Sequence, residues 1–271
     1  MTYIEELFSL ENMVAVITGG GGVIPGTIAE AFLKAGARVS LWGWREESLH
    51  LTSERLNQKY NRKEDIHICV VDTGIEERVS RALNNTVKDF GLPHILVNGV
   101  GGVRGKSDFI GIDLKLFDDV LKLNLIAGLV IPSKIFGKFW IEQKIKASII
   151  NIASMSSYIP LSGVWAYDAA KAAVLNLTMG LAREFAPYGI RVNAIAPGFF
   201  LGKQNRALLI DEKTGELTER GKAVVAHTPF GRFGNPEELE GVVIFLASER
   251  ASGFVTGVCI PIDGGYLVHN I

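Results

Sequence analysis

The feature that most constrains this chain is a series of short segments apolar at nearly every residue, each followed by a longer stretch of helical period. They read VAVIT at 14–18, RVSLW at 38–42, HICVVD at 67–72, HILVN at 94–98, SIINIAS at 148–154, IRVNAIAP at 190–197 and VCIPIDGG at 258–265. A strand without a polar face must be covered on both sides. Helices expected near 26–35, up to about 60, and over 76–90, 115–142, 165–187 and 236–248 supply that cover. Right-handed crossovers then give an α/β fold, a doubly wound parallel sheet whose ligands bind beyond the carboxyl ends of the strands.

Of the 271 residues 48% are hydrophobic and 21% charged, enough apolar content for a sizeable core, and no repeat or linker divides them. One domain over 1–271 is expected. The polar stretch at 198–228, containing KQNRALLIDEKTGELTERGK, reads as a mobile helical excursion from it. Lys plus Arg number 28 against 29 Asp plus Glu, so no net field favours nucleic acid or a membrane surface. The apolar segments are interrupted before the ~20 residues that cross a bilayer. The acidic start MTYIEELFSLEN is unlike a secretory signal, and Cys69 and Cys259 match neither a disulfide framework nor a metal pattern. A soluble cytoplasmic protein without a metal is the expectation.

TGGGG at 18–22 ends the first strand and opens a helix, where a glycine loop can approach a pyrophosphate and the helix N-terminus can bind it. A tight turn with no ligand fits the same residues. Pro25 suits a helix's first turn, whereas the Val23 side chain must point away from any phosphate. Asp72 is either an acceptor for an adenine amino group or a helix N-cap. NGVGG at 98–102 places a second closely approachable backbone beside the first, and two such turns imply a long ligand.

Tyr167 and Lys171, in YDAAK, share one helix face, and Ser154 ends the preceding strand, so the three can converge on one cleft. A tyrosine with an ordinary pKa of about 10 needs that value lowered by roughly three units to act near neutrality, about 4 kcal/mol. A neighbouring ammonium and the positive ring of an oxidised nicotinamide can supply it. Asn124, an isolated amide in the apolar run LKLNLIAG, can hold a water or tie its helix to the lysine's proton path.

The ordered set TGGGG, Asp72, NGVGG, Asn124, Ser154, YxxxK and IRVNAIAPG resembles the short-chain dehydrogenase/reductase family over essentially the whole chain, with Ser154 thirteen residues before Tyr167 as that family requires. The resemblance implies a single-domain Rossmann fold, a nicotinamide dinucleotide and hydride transfer between a carbonyl and an alcohol. In that scheme Tyr167 is the acid/base, Lys171 lowers its pKa and holds ribose hydroxyls, Ser154 orients the carbonyl and Asn124 supports a proton relay. Cofactor contacts fall on Gly19, Gly21, Gly22, Val23, Ile24, Trp44, Arg45, Asp72, Thr73, Asn98, Gly99, Val100, Tyr167, Lys171, Pro197, Gly198 and Phe200. A homotetramer or dimer is implied as well.

The family's loop is T-G-x-x-x-G-x-G, so Val23 and Pro25 stand where glycines are usual. The same substitutions, with NGVGG, NIASMSSY and APGFFLGKQNRALLI, are similar to the D-mannonate oxidoreductase (fructuronate reductase) subgroup. That implies reduction of a keto-sugar acid such as D-fructuronate. The alternatives are a reductase for another sugar, polyol or acyl carbonyl, and, more remotely, a dinucleotide sensor. Arg104, Lys106, Lys203, Gln204, Asn205 and Arg206 are the candidate partners of a substrate carboxylate and hydroxyls, with Ser154, Ser156 and Tyr158. The second strand ends in Gly43 rather than an acid, and Arg45 follows, so NADP is favoured slightly over NAD. Trp44 could stack on the adenine. Gly202 replaces the threonine that often contacts the nicotinamide carboxamide.

Overall fold

The computed structural model describes residues 2–161, 163–202 and 206–270. The elements run α1 (Tyr3–Phe8), β1 (Val14–Thr18), α2 (Val23–Lys34), β2 (Arg38–Gly43), α3 (Glu46–Tyr60), β3 (Ile66–Val70), α4 (Glu76–Asp89) and β4 (Pro93–Asn98). One continuous helix follows, made of α5 (Leu114–Leu121), a π-helical stretch (Lys122–Val130) and α6 (Ile131–Gln143). Then come β5 (Ala147–Ile152), α7 (Trp165–Phe185), β6 (Ile190–Pro197), α8 (Arg206–Leu209), α9 (Glu219–His227), α10 (Glu240–Ala247), α11 (Glu249–Ser252) and β7 (Cys259–Ile262).

The strands form one parallel sheet of order β3-β2-β1-β4-β5-β6-β7. The order reverses between β1 and β4, which puts the topological switch point beside the glycine turns that end both strands. Alternation along the strands divides the core into two layers. Ala15 and Ile17 of β1 join Ile28 and Phe32 of α2 and Val243 and Leu246 of α10 on one face. Val16 points to the other, with Val79 and Leu83 of α4, Phe136 and Trp140 of α6 and Phe185 of α7. The outer strands β3 and β7 are only half-buried, and Val70 is exposed, because each has a neighbour on one side alone.

Leu114–Gln143 is long and apolar enough to cross a membrane, contrary to the expectation that no segment is. Its apolar content has a core role here: Val120, Leu129, Ile131, Phe136 and Trp140 are buried against the rest of the fold. The excursion is less peripheral than its polarity suggests. Leu209 and Val224 are buried, and a side chain at Gly221 would stand 2.1 Å from the Leu209 carbonyl, so α8 and α9 cross in close contact.

Glu30 anchors α2 to α3. Burial alone would raise its pKa, but hydrogen bonds from Lys59 (2.6 Å), Tyr60 (2.7 Å) and Arg55 outweigh that and bring it to about 2. A depressed carboxylate pKa contributes stability that is present above the unfolded value and lost as pH falls through the folded one. Glu30→Gln is therefore expected to lower unfolding free energy by about 2 kcal/mol at pH 7, allowing for the half-exposed Arg55 and Lys59. In urea melts that deficit shrinks between pH 4.5 and 2.

Candidate active site

Thr18 fixes the centre of the cleft. Its buried hydroxyl donates to the Val97 carbonyl (3.2 Å) and accepts from Gly99 N–H (3.0 Å), which clamps the end of β1 to the end of β4. At Gly19 φ is +68°, and a Cβ would stand 2.7 Å from the Gly99 oxygen. A Cβ on Gly99 would meet the Thr18 oxygen at 2.4 Å and the Pro25 ring at 2.8 Å. The two turns touch backbone to backbone, which only glycine permits.

Gly22 is the N-cap of α2 and no side chain caps the helix, so the N–H groups of Val23 and Ile24 are those a pyrophosphate would use. These residues fit a dinucleotide. Pro25 has no N–H to offer, and its ring packs where the family's third glycine allows close approach. Gly21 is required by a different neighbour, since a Cβ there would lie 2.3 Å from the Ser48 hydroxyl on α3. Trp44 and Arg45 are exposed just beyond β2, with the guanidinium 5.4 Å from the indole ring. Asp72 lies two residues past β3 and accepts from Gly74 N–H (2.9 Å); Ile75 is the N-cap of α4, so of the two readings of Asp72 the helix cap is the one the structure corrects. Thr73 beside it is buried.

Asn98 is buried in the sheet and donates to Ser133 (2.9 Å) and Asn151 (2.8 Å), and Asn151 in turn donates to Thr178 (2.9 Å). Its side chain braces β4 against β5, whereas Gly99 and Val100 beside it are only half-buried. Pro197 ends β6, and Gly198 donates to the Ile262 carbonyl (2.8 Å), with Asp263 filling the space a Cβ would need. The Phe200 side chain is packed in the core, so a contact with a cofactor would have to use its backbone.

Asn124 sits in the π-helical stretch and is buried. Its oxygen accepts from Gly102 N–H (2.9 Å), and its amide donates to the carbonyls of Gly102 (3.0 Å) and Val120 (3.0 Å). One amide hydrogen thus pins the second glycine turn and the other closes onto its own helix at Val120, and a water or proton path would have to use what remains. A Cβ on Gly101 would lie 2.6 Å from that amide oxygen and 3.4 Å from Lys171 Nζ, so turn, amide and ammonium meet at one point. Widening the helix at this place also lets Val100 O approach Gly128, where a Cβ would be 2.6 Å away.

Lys171, 4% exposed, donates to the Ile152 carbonyl (2.7 Å) and lies 5.7 Å from the Tyr167 ring centre. Burial pulls its pKa down to about 8. Burial pushes the Tyr167 phenol up; the Ser154 hydroxyl, within bonding reach, pulls it down, and the Asp168 charge pushes it up again. Ser154 Oγ accepts from Ser156 N–H (3.2 Å), and Ser157 Oγ donates to the Lys171 carbonyl (2.7 Å), which ties the turn after β5 to α7.

Of the candidate substrate residues, Arg104 and Lys106 are exposed on the loop after the second glycine turn. Lys106 lies over Gly163, next to the start of α7. Arg206 is exposed on α8, while Lys203, Gln204 and Asn205 fall outside the described residues. Ser156 is buried, and the Tyr158 hydroxyl donates to the Cys259 carbonyl (3.4 Å) rather than standing free. Among the described residues no cluster of three or more His, Cys, Asp or Glu is arranged to hold a metal. Sequence reasoning missed Thr18, whose type and place before the glycines were visible, and the Asn98–Asn151–Thr178 line, which pattern alone does not reveal.

The family described as enoyl-(acyl carrier protein) reductase matches residues 23–267. An uncharacterised oxidoreductase of Bacillus subtilis, UxuB, is 37% identical over 279 residues, covering 97% of each chain. The chain belongs to the short-chain dehydrogenase/reductase family. As a short-chain dehydrogenase it is an NAD(P)-dependent oxidoreductase. A provisionally assigned D-mannonate oxidoreductase from Haemophilus influenza, with bound NAD, superposes with a TM-score of 0.88 at 34% identity, covering 98% of this chain and 99% of the other. A gluconate 5-dehydrogenase from Burkholderia cenocepacia, in complex with NADP and tartrate, does so with 0.87 at 30%, covering 98% and 99%.

The contact between the glycine turns yields a prediction. Gly99→Ala is expected to lose at least about 2 kcal/mol of stability, since neither Thr18 O nor Pro25 can retreat, and with it dinucleotide affinity. Gly102→Ala, with nothing within 4 Å of the added carbon, serves as the neutral control. Denaturant melts and cofactor fluorescence titration separate the two.

Proposed function

We propose that this short-chain dehydrogenase reduces the keto group of a hexonic acid, D-fructuronate to D-mannonate, with Tyr167 as the proton donor and Ser154 and Lys171 as its partners. The convergence of these three side chains beside two glycine turns carries the proposal. The sugar-acid names of similar proteins support the substrate class.

Burial holds the Tyr167 phenol protonated, which suits a group that must give a proton to a carbonyl oxygen. Ser154, bonded toward that phenol, orients the same oxygen. Lys171, with its pKa near 8, can hand on a proton close to neutrality or bind ribose hydroxyls. The dinucleotide supplies the hydride when bound. Asn124 keeps the second glycine turn in register with Lys171. The exposed Arg104, Lys106 and Arg206 are the cations for the substrate carboxylate in this reading, with Lys203, Gln204 and Asn205 directly before Arg206 in sequence.

NADPH is the preferred coenzyme in this reading, because Gly43 offers no acid to repel a 2′-phosphate and Arg45 is free to reach it. The reading includes a cytoplasmic dimer or tetramer, which the exposed Val268 near the C-terminus supports. A second reading, a reductase of neutral sugars, polyols or acyl groups, needs no substrate carboxylate.

Purified protein with D-fructuronate is expected to consume NADPH faster than NADH, followed at the reduced-nicotinamide absorbance. Tyr167→Phe should cut kcat by about 10³-fold or more while dinucleotide binding persists; full activity in that variant would overturn the mechanism. Arg206→Ala should raise KM for acidic substrates by roughly tenfold and leave neutral ones unchanged. An equal effect on both substrate types would favour the second reading.

A further inference from the structure

Trp165 opens α7 and stands two residues before Tyr167. Its indole N–H donates to the Ser107 carbonyl (3.0 Å), and the Phe109 ring meets the indole edge to face, with centres 5.5 Å apart at 86°. Ser107 N–H in turn donates to the Gly163 carbonyl (3.1 Å), so both backbone groups of one loop residue are bonded to the segment that leads into the catalytic helix. The Lys106 stem lies against the same segment: a Cβ on Gly163 would stand 2.9 Å from its Cγ.

The loop is also held where it begins. Gly102 gives its N–H to the Asn124 oxygen (2.9 Å) and takes the Asn124 amide on its carbonyl (3.0 Å). Between them Gly105 packs on α5, where a Cβ would lie 2.5 Å from Leu116 Cδ2. Val103, Arg104, Gly105 and Lys106 alone separate the two bonded residues, and an irregular segment of this kind gains order only from such outside contacts. In it Arg104 and Lys106 are both exposed, with one glycine between them, and neither takes part in an ion pair among the described residues. Asp108, the acid nearest in sequence, is exposed as well.

We propose that Trp165 is a positioning residue that latches this loop to the start of α7, so that Arg104 and Lys106 are ordered beside the catalytic helix before an acidic substrate arrives. Of the two bonds at Ser107, the one from the indole is supplied by a side chain, and a residue without a ring N–H at this place would not make it. A site whose loop must be ordered on binding loses affinity to that ordering, whereas a loop already held does not. The latch therefore acts on how tightly a carboxylate is held, not on the proton and hydride steps. The role of the two cations rests on the reading of the substrate as a sugar acid; the latch itself does not.

Limited trypsin digestion of the full-length protein, with fragments identified by mass, reads the latch without any substrate. The Lys106–Ser107 peptide bond is a tryptic site, and its second residue is bonded through both N–H and carbonyl. Trp165→Phe keeps a ring for Phe109 and removes the indole bond. It is expected to be cut after Lys106 at least about threefold faster than wild type, the loss of one hydrogen bond expressed as local opening, with cutting after the exposed Lys213 unchanged. Phe109→Ser, at an exposed position, loosens the latch from the loop side and gives the same readout should the Phe variant fail to fold. With D-fructuronate, Trp165→Phe is expected to raise KM about threefold at nearly unchanged kcat. Equal acceleration at Lys106 and Lys213, or none at either, would overturn the latch; faster cutting at Lys106 with an unchanged KM would overturn its link to the substrate. Absence of turnover by the wild type would overturn the fructuronate assignment instead, and the digestion alone then decides the latch.

Discussion

The site depends on one contact, the meeting of the ends of β1 and β4. Thr18 bonds to both Val97 and Gly99, and the backbones of Gly19 and Gly99 come too close for any side chain. Everything functional is measured from there. The uncapped start of α2 lies on one side of the contact, and on the other the second glycine turn is held by Asn124 and approached by Lys171. Since the strands order as β2-β1-β4-β5, the same contact marks the switch point where a doubly wound sheet opens a crevice.

The unusual loop is understood from the same place. A glycine at position 25 would allow the helix to press on the neighbouring turn by having no side chain. Pro25 achieves a close fit by filling the space with a ring, and it fixes φ in a helix's first turn, where its missing N–H is no loss. The balance is a helix start with one donor fewer for an anion. The remaining donors, from Val23 and Ile24, make up the anion site.

Much of this was legible in sequence because the signals were local. All seven strands were placed to within a few residues, since strands apolar on both faces have no alternative burial, and the Ser154, Tyr167 and Lys171 spacing forces convergence once the strand and helix are assigned. What was not legible depends on long-range geometry. Asn98 reads as a ligand contact by motif, but which way its side chain turns is decided by Ser133 and Asn151, 35 and 53 residues away. The π-helical widening around Asn124 and the burial of Leu209 and Val224 inside a polar excursion are equally non-local. By contrast, α1 was overlooked although Thr2 and Glu5 spell a capping box, which the structure forms on both sides.

The titratable pair on α7 is displaced from ordinary protonation in opposite senses. Lys171 is carried into the interior at a cost: its folded pKa, about 8, lies below the ordinary 10.5, so its contribution to stability is full above 10.5 and is lost as pH falls through 8. At neutral pH the fold therefore holds an ammonium it would be more stable without, softened by the bond to Ile152 O. The phenol is displaced the opposite way. A tyrosine that keeps its proton, next to a lysine of lowered pKa, can give a proton in reduction and take it back in oxidation. Acid/base work gives a physical reason for tolerating two buried titratable groups that a purely structural helix would have exchanged for apolar ones.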